Sequence, residues 1–214
     1  MNSPAGHAPT AYVVDDDEAI RTLWRWLMES NGIAVRAFGT ATEFIESYER
    51  DAPGCLVLDL RLPGMSGLEL QDYLKRNGIE IPIVFVTAHA DVPTAVTAIK
   101  SGAVDLIEKP FNYRQVLSII EKAFQRDAEN RGRRGRHAEI AQCLATLTER
   151  EREVLRRIID GKPNKIIAAE LDLSVKTVEV HRAKVMEKMG AESVAELVQR
   201  TIGFPLIEPS ASGG

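Results

Sequence analysis

Hydrophobic residues in the first half of the chain fall into short blocks. AYVV (11–14), AVRAF (34–38), CLVLDL (55–60), IPIVFV (81–86) and AVDLI (103–107) are too short for helices and apolar enough for strands buried on both faces. Between them, near 18–30, 41–50, 67–76, 93–101 and 112–126, apolar positions recur at helical spacing. Such alternation predicts a parallel sheet with helices on both sides. Gly32, Gly78 and Gly102 stand where the first, third and fourth helices should stop. No two blocks are joined by hairpin residues, which counts against an α+β arrangement.

The pattern changes after residue 127. AENRGRRGRHAEIAQ (128–142) is polar and Arg-rich, and Gly132 and Gly135 interrupt it. It reads as a linker, or as a partial extension of the fifth helix with the two glycines as weak points. Everything downstream is helical in period. Thr148 and Glu151 form a T-x-x-E capping box for a helix that Gly161 can close. Asn164 is placed to cap a short second helix ending near Glu170. Ser174 is placed to cap a third, running to about Met189 with Gly190 beyond. Ser193 and Glu196 suggest a second capping box for a fourth. The tail after Gly203, with its prolines and serines, is expected to fray.

These segments divide the chain into a domain over 10–126, a linker over 127–143, and a small all-helical domain over 144–208. Charge divides it similarly. Residues 1–127 hold 12 basic against 18 acidic side chains, and residues 128–214 hold 15 against 13. The two halves therefore suit different partners, although so modest a basic excess does not by itself identify a nucleic-acid binder. No apolar run approaches the length of a membrane helix, and the N-terminal residues lack a signal-peptide pattern. Cys55 and Cys143 have neither metal-ligand nor disulfide-framework spacing. A cytoplasmic protein is expected, with no membrane partner.

Candidate chemistry sits at the carboxyl ends of the predicted strands. Asp15, Asp16 and Asp17 follow the first, and Asp59 ends the third. In a doubly wound sheet of flavodoxin-like order 2-1-3-4-5, those two strands flank the point where the winding reverses, and ligands collect there. Converging carboxylates repel one another, and a hard divalent cation such as Mg²⁺ relieves that repulsion. Thr87 ends the fourth strand and Lys109 follows the fifth. A hydroxyl and an ammonium beside metal-binding carboxylates suit a phosphoryl group. Lys109-Pro110 is also a candidate cis peptide bond.

The segments VVDDDE, CLVLDLRLPGMSG, FVTAHAD and AVDLIEKPF resemble the receiver domain of two-component response regulators over about residues 10–126. The resemblance implies that Asp59 is the phosphoacceptor. It also implies that Asp15, Asp16 and Asp59, with the backbone carbonyl of Arg61, hold Mg²⁺. Thr87 would bind the phosphoryl group through its hydroxyl and Lys109 by charge, while Asp17 adds only local charge. One departure stands out: Leu106 occupies the position, three before the lysine, where such receivers usually carry an aromatic switch residue.

In the second domain, the short link 171–174 between two predicted helices has the layout of a helix-turn-helix. On a wheel of 100° per residue, Val185 and Met189 fall within about 20° of Val178, an apolar stripe for the core. Lys176, Val180, Ala183 and Glu187 lie opposite, flanked by Thr177, Glu179 and Lys184. LTEREREVLRRIIDGKPNKIIAAELDLSVKTVEVHRAKVMEKMG resembles the LuxR/FixJ-type DNA-binding domain. By that resemblance Glu179, Val180 and Ala183 face base edges, while Lys165, Thr177, His181 and Lys184 touch the backbone, with Lys176 also on the DNA side. Glu179 is poorly suited to phosphates and well suited to a cytosine amino group. His181 could equally pack at the groove edge.

Together these features predict a FixJ-like response regulator. A sensor histidine kinase would phosphorylate Asp59, and the protein would bind double-stranded promoter DNA to regulate transcription. Self-association would use the fourth helix, fifth strand and fifth helix (92–101, 104–106 and 112–123), with RNA polymerase a further candidate partner. No enzymatic activity is expected beyond the receiver's own phosphoryl transfer and dephosphorylation. The alternative is a phosphorylation-insensitive DNA-binding regulator that uses the first domain only to dimerise.

Overall fold

A computed structural model describes residues 8–88 and 91–204. The N-terminal residues bearing on export, His89 and Ala90 of the FVTAHAD segment, and the tail from 205 onward lie outside the described residues. The chain divides into two compact units, Met1–Gly132 and Arg133–Gly214.

The first unit alternates β1 (Thr10–Val14), α1 (Glu18–Glu29), β2 (Ala34–Phe38), α2 (Ala41–Ser47), β3 (Gly54–Asp59), α3 (Gly67–Arg76), β4 (Ile83–Thr87), α4 (Val92–Lys100), β5 (Asp105–Glu108) and the larger part of α5 (Tyr113–Ala145), whose residues from Arg133 on belong to the second unit. All strand pairs are parallel, in the order β2-β1-β3-β4-β5. The expected doubly wound sheet is thus the one observed. Its core has two layers because alternate side chains leave a strand on opposite faces. Ala11, Val13, Cys55, Val57, Val84 and Val86 pack with Trp24 and Leu27 of α1 and Ile119 and Ile120 of α5. Tyr12, Val14, Leu56, Leu58 and Phe85 pack with Phe44 of α2, Leu70 and Leu74 of α3 and Ala98 of α4.

Element ends follow local chemistry, with some corrections to the sequence reading. Gly32, Gly78 and Gly102 all have positive φ after their helices. The fourth strand starts at Ile83, not at residue 81, because Pro82 has no N–H to give the ladder; its carbonyl accepts from Leu56 instead. Asp17 is the N-cap of α1, accepting from the Ala19 amide at 2.8 Å, a role beyond the local charge expected of it. Gly67 opens α3 directly beneath Asp59. A Cβ there would come within 2.3 Å of the Asp59 carbonyl oxygen, so no larger residue fits this approach.

Residues 127–143, read as a linker or as a partial extension of the fifth helix, are helical throughout and lie within α5. Each glycine costs a helix about 1 kcal/mol, and an anchor just ahead of them compensates. Buried Asp127 accepts from the Gly54 amide at 3.1 Å, and Arg131 donates to the Asp51 carbonyl and pairs with Asp127. The first two turns past residue 126 are thereby held against the start of β3.

The second unit contains α6 (Glu149–Ile159), α7 (Asn164–Leu171), α8 (Val175–Lys188) and α9 (Val194–Thr201). Val154, Leu155, Ile158, Ile167, Val178, Val185 and Leu197 form its core. The Thr148/Glu151 capping box is present on α6, and Ser174 caps α8. Two expected caps differ. Pro163, not Asn164, is the N-cap of α7, with no side-chain cap bond; its carbonyl accepts from Ile167. At α9, Ser193 accepts from the Glu196 amide, but the Glu196 carboxylate reaches back one residue further, to the Glu192 amide. That leaves half of the expected box.

Candidate phosphoacceptor pocket and nucleic-acid interface

β1 and β3 lie side by side at the centre of the sheet, and their carboxyl ends carry Asp15 and Asp59. Lys109, just beyond β5, reaches between them. Its Nζ donates to Asp15 Oδ2 at 2.7 Å and to Asp59 Oδ2 at 2.8 Å. The other oxygens are fixed by backbone amides: Asp17 N donates to Asp15 Oδ1 at 3.0 Å, and Arg61 N to Asp59 Oδ1 at 2.9 Å. Asp15 is 2% exposed and Asp59 9%, whereas Asp16 is open to solvent. One carboxylate oxygen from each of the three aspartates lies within 4.8 Å of the others.

The electrostatics follow from burial and charge. Burial raises the Asp15 pKa, and the hydrogen bond from Lys109 only partly offsets it. Burial also works against the Lys109 ammonium, yet hydrogen bonds from it to Asp15 and Asp59 hold its pKa above the ordinary lysine value. Lys109 is therefore firmly charged, and it offsets part of the pocket's negative charge. Thr87 is 1% exposed at the end of β4, and its carbonyl accepts from the Lys109 amide at 2.8 Å. The peptide bond Lys109-Pro110 is cis. Leu106 of β5 aligns with Phe85 of β4 and is partly buried.

Arg21 was not evident from the sequence. From the first turn of α1 it donates to the carbonyls of Asp15 and Asp16, at 2.8 and 2.9 Å. It thus pins the backbone of the acidic run and brings a positive charge to it. An arginine four residues after an aspartate run carries no signal of its own; only the turn into α1 brings it back.

In the second unit α7 and α8 are joined through Asp172, in the left-handed conformation, and Leu173. Val178, Val185 and Met189 are buried. Lys176, Glu179, Val180, Ala183 and Lys184 are exposed on the same helix, and Lys165 is exposed in the first turn of α7. Thr177 is half-buried, its hydroxyl 2.7 Å from that of Ser174. His181 is also half-buried, and its Nδ1 is buried with no partner among the described residues. The helix therefore presents the expected mixture of small, β-branched and charged side chains to solvent. No helix among the described residues is long and apolar enough to cross a membrane.

Comparison with known proteins agrees with this architecture. Residues 11–121 match the response regulator receiver domain, and residues 145–201 match the bacterial regulatory proteins of the luxR family. The response regulator protein TodT of Pseudomonas putida is 41% identical over 194 residues, 91% of this chain and 86% of that protein. The transcriptional regulatory protein FixJ of Rhizobium meliloti is 43% identical over 193 residues, 90% of this chain and 95% of that one. The solved structure of the response regulator StyR superposes with a TM-score of 0.82 at 44% identity, covering 91% of this chain and 98% of that one. A sheet with an acidic carboxyl edge, a helix-turn-helix later in the sequence, and relatives alike along nearly their whole length lead to one conclusion: the chain belongs to the response regulators that join a receiver domain to a LuxR-family DNA-binding domain.

Proposed function

We propose that Asp59 accepts a phosphoryl group from the phosphohistidine of a sensor kinase, and that the modified protein binds promoter DNA through α7 and α8 in the cytoplasm. One observation carries the first part. Asp59, ending β3, faces Asp15 across a single bridging lysine, with three carboxylates close enough to share a cation. In the reaction a carboxylate oxygen of Asp59 attacks phosphorus and forms the P–O bond of an acyl phosphate. The P–N bond to the donor imidazole breaks, and its electron pair stays with that ring.

The donor set suits a hard cation: oxygen ligands, with one carboxylate solvent-open so that waters can complete the shell. Asp15, Asp16, Asp59 and the Arg61 carbonyl are the residues proposed to hold Mg²⁺, which when bound offsets the negative charge of the phosphoryl oxygens. Lys109 keeps Asp15 and Asp59 together beforehand and is placed to pair with the phosphoryl group afterwards. Thr87 is placed to offer its hydroxyl from β4. Incubation with acetyl phosphate and Mg²⁺ should add one phosphoryl group to the wild type and none to Asp59→Asn, read by intact mass. Equal labelling of both would move the acceptor elsewhere.

Phosphorylation is proposed to act through Thr87 and Leu106 on the surface of α4, β5 and α5, which would pair with a second copy and shift the population toward a DNA-binding dimer. Val92, Val96 and Ile99 leave α4 with an exposed apolar side for this purpose. Lys165, Lys176, Thr177, His181 and Lys184 are proposed to meet the DNA backbone, and Glu179, Val180 and Ala183 the base edges. RNA polymerase is the further partner such a regulator would engage. The phosphorylation-insensitive reading is not favoured, because it leaves the convergence of two buried carboxylates and an exposed third on one lysine without a use.

A further inference from the structure

A groove of about 400 Å³ opens between the last turns of α5 and the end of α9, wholly within the second unit. That volume falls in the range of sites for small organic molecules, about 300–1,000 Å³. The groove uses no residue of the phosphoacceptor pocket and none of α8. Its lining is chemically divided. Ile140 of α5, with Ile202 and Phe204 beyond α9, forms an apolar side, where the ring of His137 lies 4.7 Å from that of Phe204, tilted by 43°. Ile202 is 70% exposed, a large apolar side chain left to solvent.

The other side is charged. The guanidiniums of Arg133, Arg136 and Arg200 stand against the carboxylates of Glu139 and Glu196, which leaves one positive charge in excess. Some of these groups are already engaged. Arg200 donates to the carbonyls of Met189 and Gly190 at 2.7 and 2.6 Å and pairs with Glu139 at 3.1 Å. The Glu196 carboxylate accepts from the Glu192 amide at 2.9 Å. Arg136 and Gln199 differ: both are exposed, and neither has a side-chain hydrogen bond or ion pair among the described residues. A guanidinium fork and an amide donor thus line the groove with no acceptor from the protein.

A carboxylate matches that pair, because the planar fork of an arginine takes both of its oxygens. One excess charge is balanced by a monoanion and exceeded by a dianion such as a phosphate monoester. The apolar side calls for a hydrocarbon body on the same molecule. We infer that the groove is an effector site for a small organic monocarboxylate with an aromatic or branched aliphatic body, independent of phosphorylation. A molecule bound there bridges α5 and α9. It strengthens the hold of α5, whose Ile140 and Leu144 already pack on the core of the second unit.

Titration of the full-length protein with benzoate, benzamide and acetate, followed through isoleucine methyl groups by NMR, tests the assignment. Benzoate should shift Ile140 and Ile202 saturably. Benzamide carries the body without the charge, and acetate the charge without the body; each should bind at least about 10-fold more weakly. Arg136→Gln should weaken benzoate about 10-fold or more, and unmoved methyls of the buried Ile158 and Ile167 show that the variant is folded. Absence of a saturable shift with benzoate, equal binding of benzamide or of acetate, or an unchanged affinity in Arg136→Gln would each overturn it.

Discussion

Replacing Lys109 with methionine keeps most of the apolar stem and removes the charge that bridges Asp15 and Asp59. Two charge-assisted hydrogen bonds, at 2.7 and 2.8 Å, disappear. The carboxylates left behind have oxygens within 4.8 Å of each other. At an effective dielectric constant of about 20, two like charges at that distance repel by about 3.5 kcal/mol. Breaking a buried pair by removing one partner generally costs about 3–5 kcal/mol, so a loss of that size is expected at pH 7 without metal. Urea unfolding in EDTA measures it cleanly. Both tryptophans, Trp24 and Trp26, lie in the first unit, so their fluorescence follows that unit alone. Mg²⁺ should restore more stability to the variant than to the wild type, since a cation takes over the neutralising role. Acid should also narrow the gap. The Asp15 pKa is already raised by burial, so its protonated form is the one the fold prefers. Its contribution is favourable below the ordinary carboxylate range and is lost as pH rises through the raised value. Removing Lys109 enlarges that loss. A gap constant from pH 4 to pH 8 and indifferent to Mg²⁺ would refute the electrostatic account and leave lost packing in its place.

Three other outcomes are expected. Asp16→Ala should weaken Mg²⁺ binding severalfold or more, followed by the fluorescence of Trp24, whose ring lies 5.2 Å from that of Phe111, tilted by 36°, just beyond Lys109-Pro110; unchanged affinity would remove Asp16 from the site. Glu151→Gln retains the helix cap but not the charge paired with Lys188, and should cost α6 and α8 about 1 kcal/mol at pH 7 by amide hydrogen exchange. Hydrogen bonds from Lys188 and the Thr148 amide hold the Glu151 pKa down to about 2; its contribution is therefore present above the ordinary glutamate value and fades as pH falls toward 2, where variant and wild type should converge. Phosphorylated protein should shift from monomer toward dimer in sedimentation analysis; an equal dimer constant with and without phosphate, labelling confirmed, would mean that Leu106 does not relay the switch.

Periodicity and capping act over a few residues, and so the chain alone determined the order of elements, the doubly wound sheet and the helix-turn-helix. Short apolar blocks bounded by glycine or proline have few alternatives once alternating helices must cover them. Val178, Val185 and Met189 were legible as core for the same local reason. Contacts between distant parts of the chain were decided only by the tertiary structure. Lys109 meets Asp15 across 94 positions of sequence, and that geometry makes one lysine the counterion of two buried carboxylates. Asp127 meets Gly54 across 73, and this anchor helps α5 continue through Gly132 and Gly135, which local propensity marks as weak points. Lys188 meets Glu151 across 37. Arg21 belongs to the pocket because α1 turns back toward β1, and Pro163 displaces Asn164 as a cap because backbone geometry outweighs the side chain's preference. Propensity is a local energy of about 1 kcal/mol or less per residue. A buried charge pair or a close backbone approach is worth several times that, so where the two conflict the packed structure prevails.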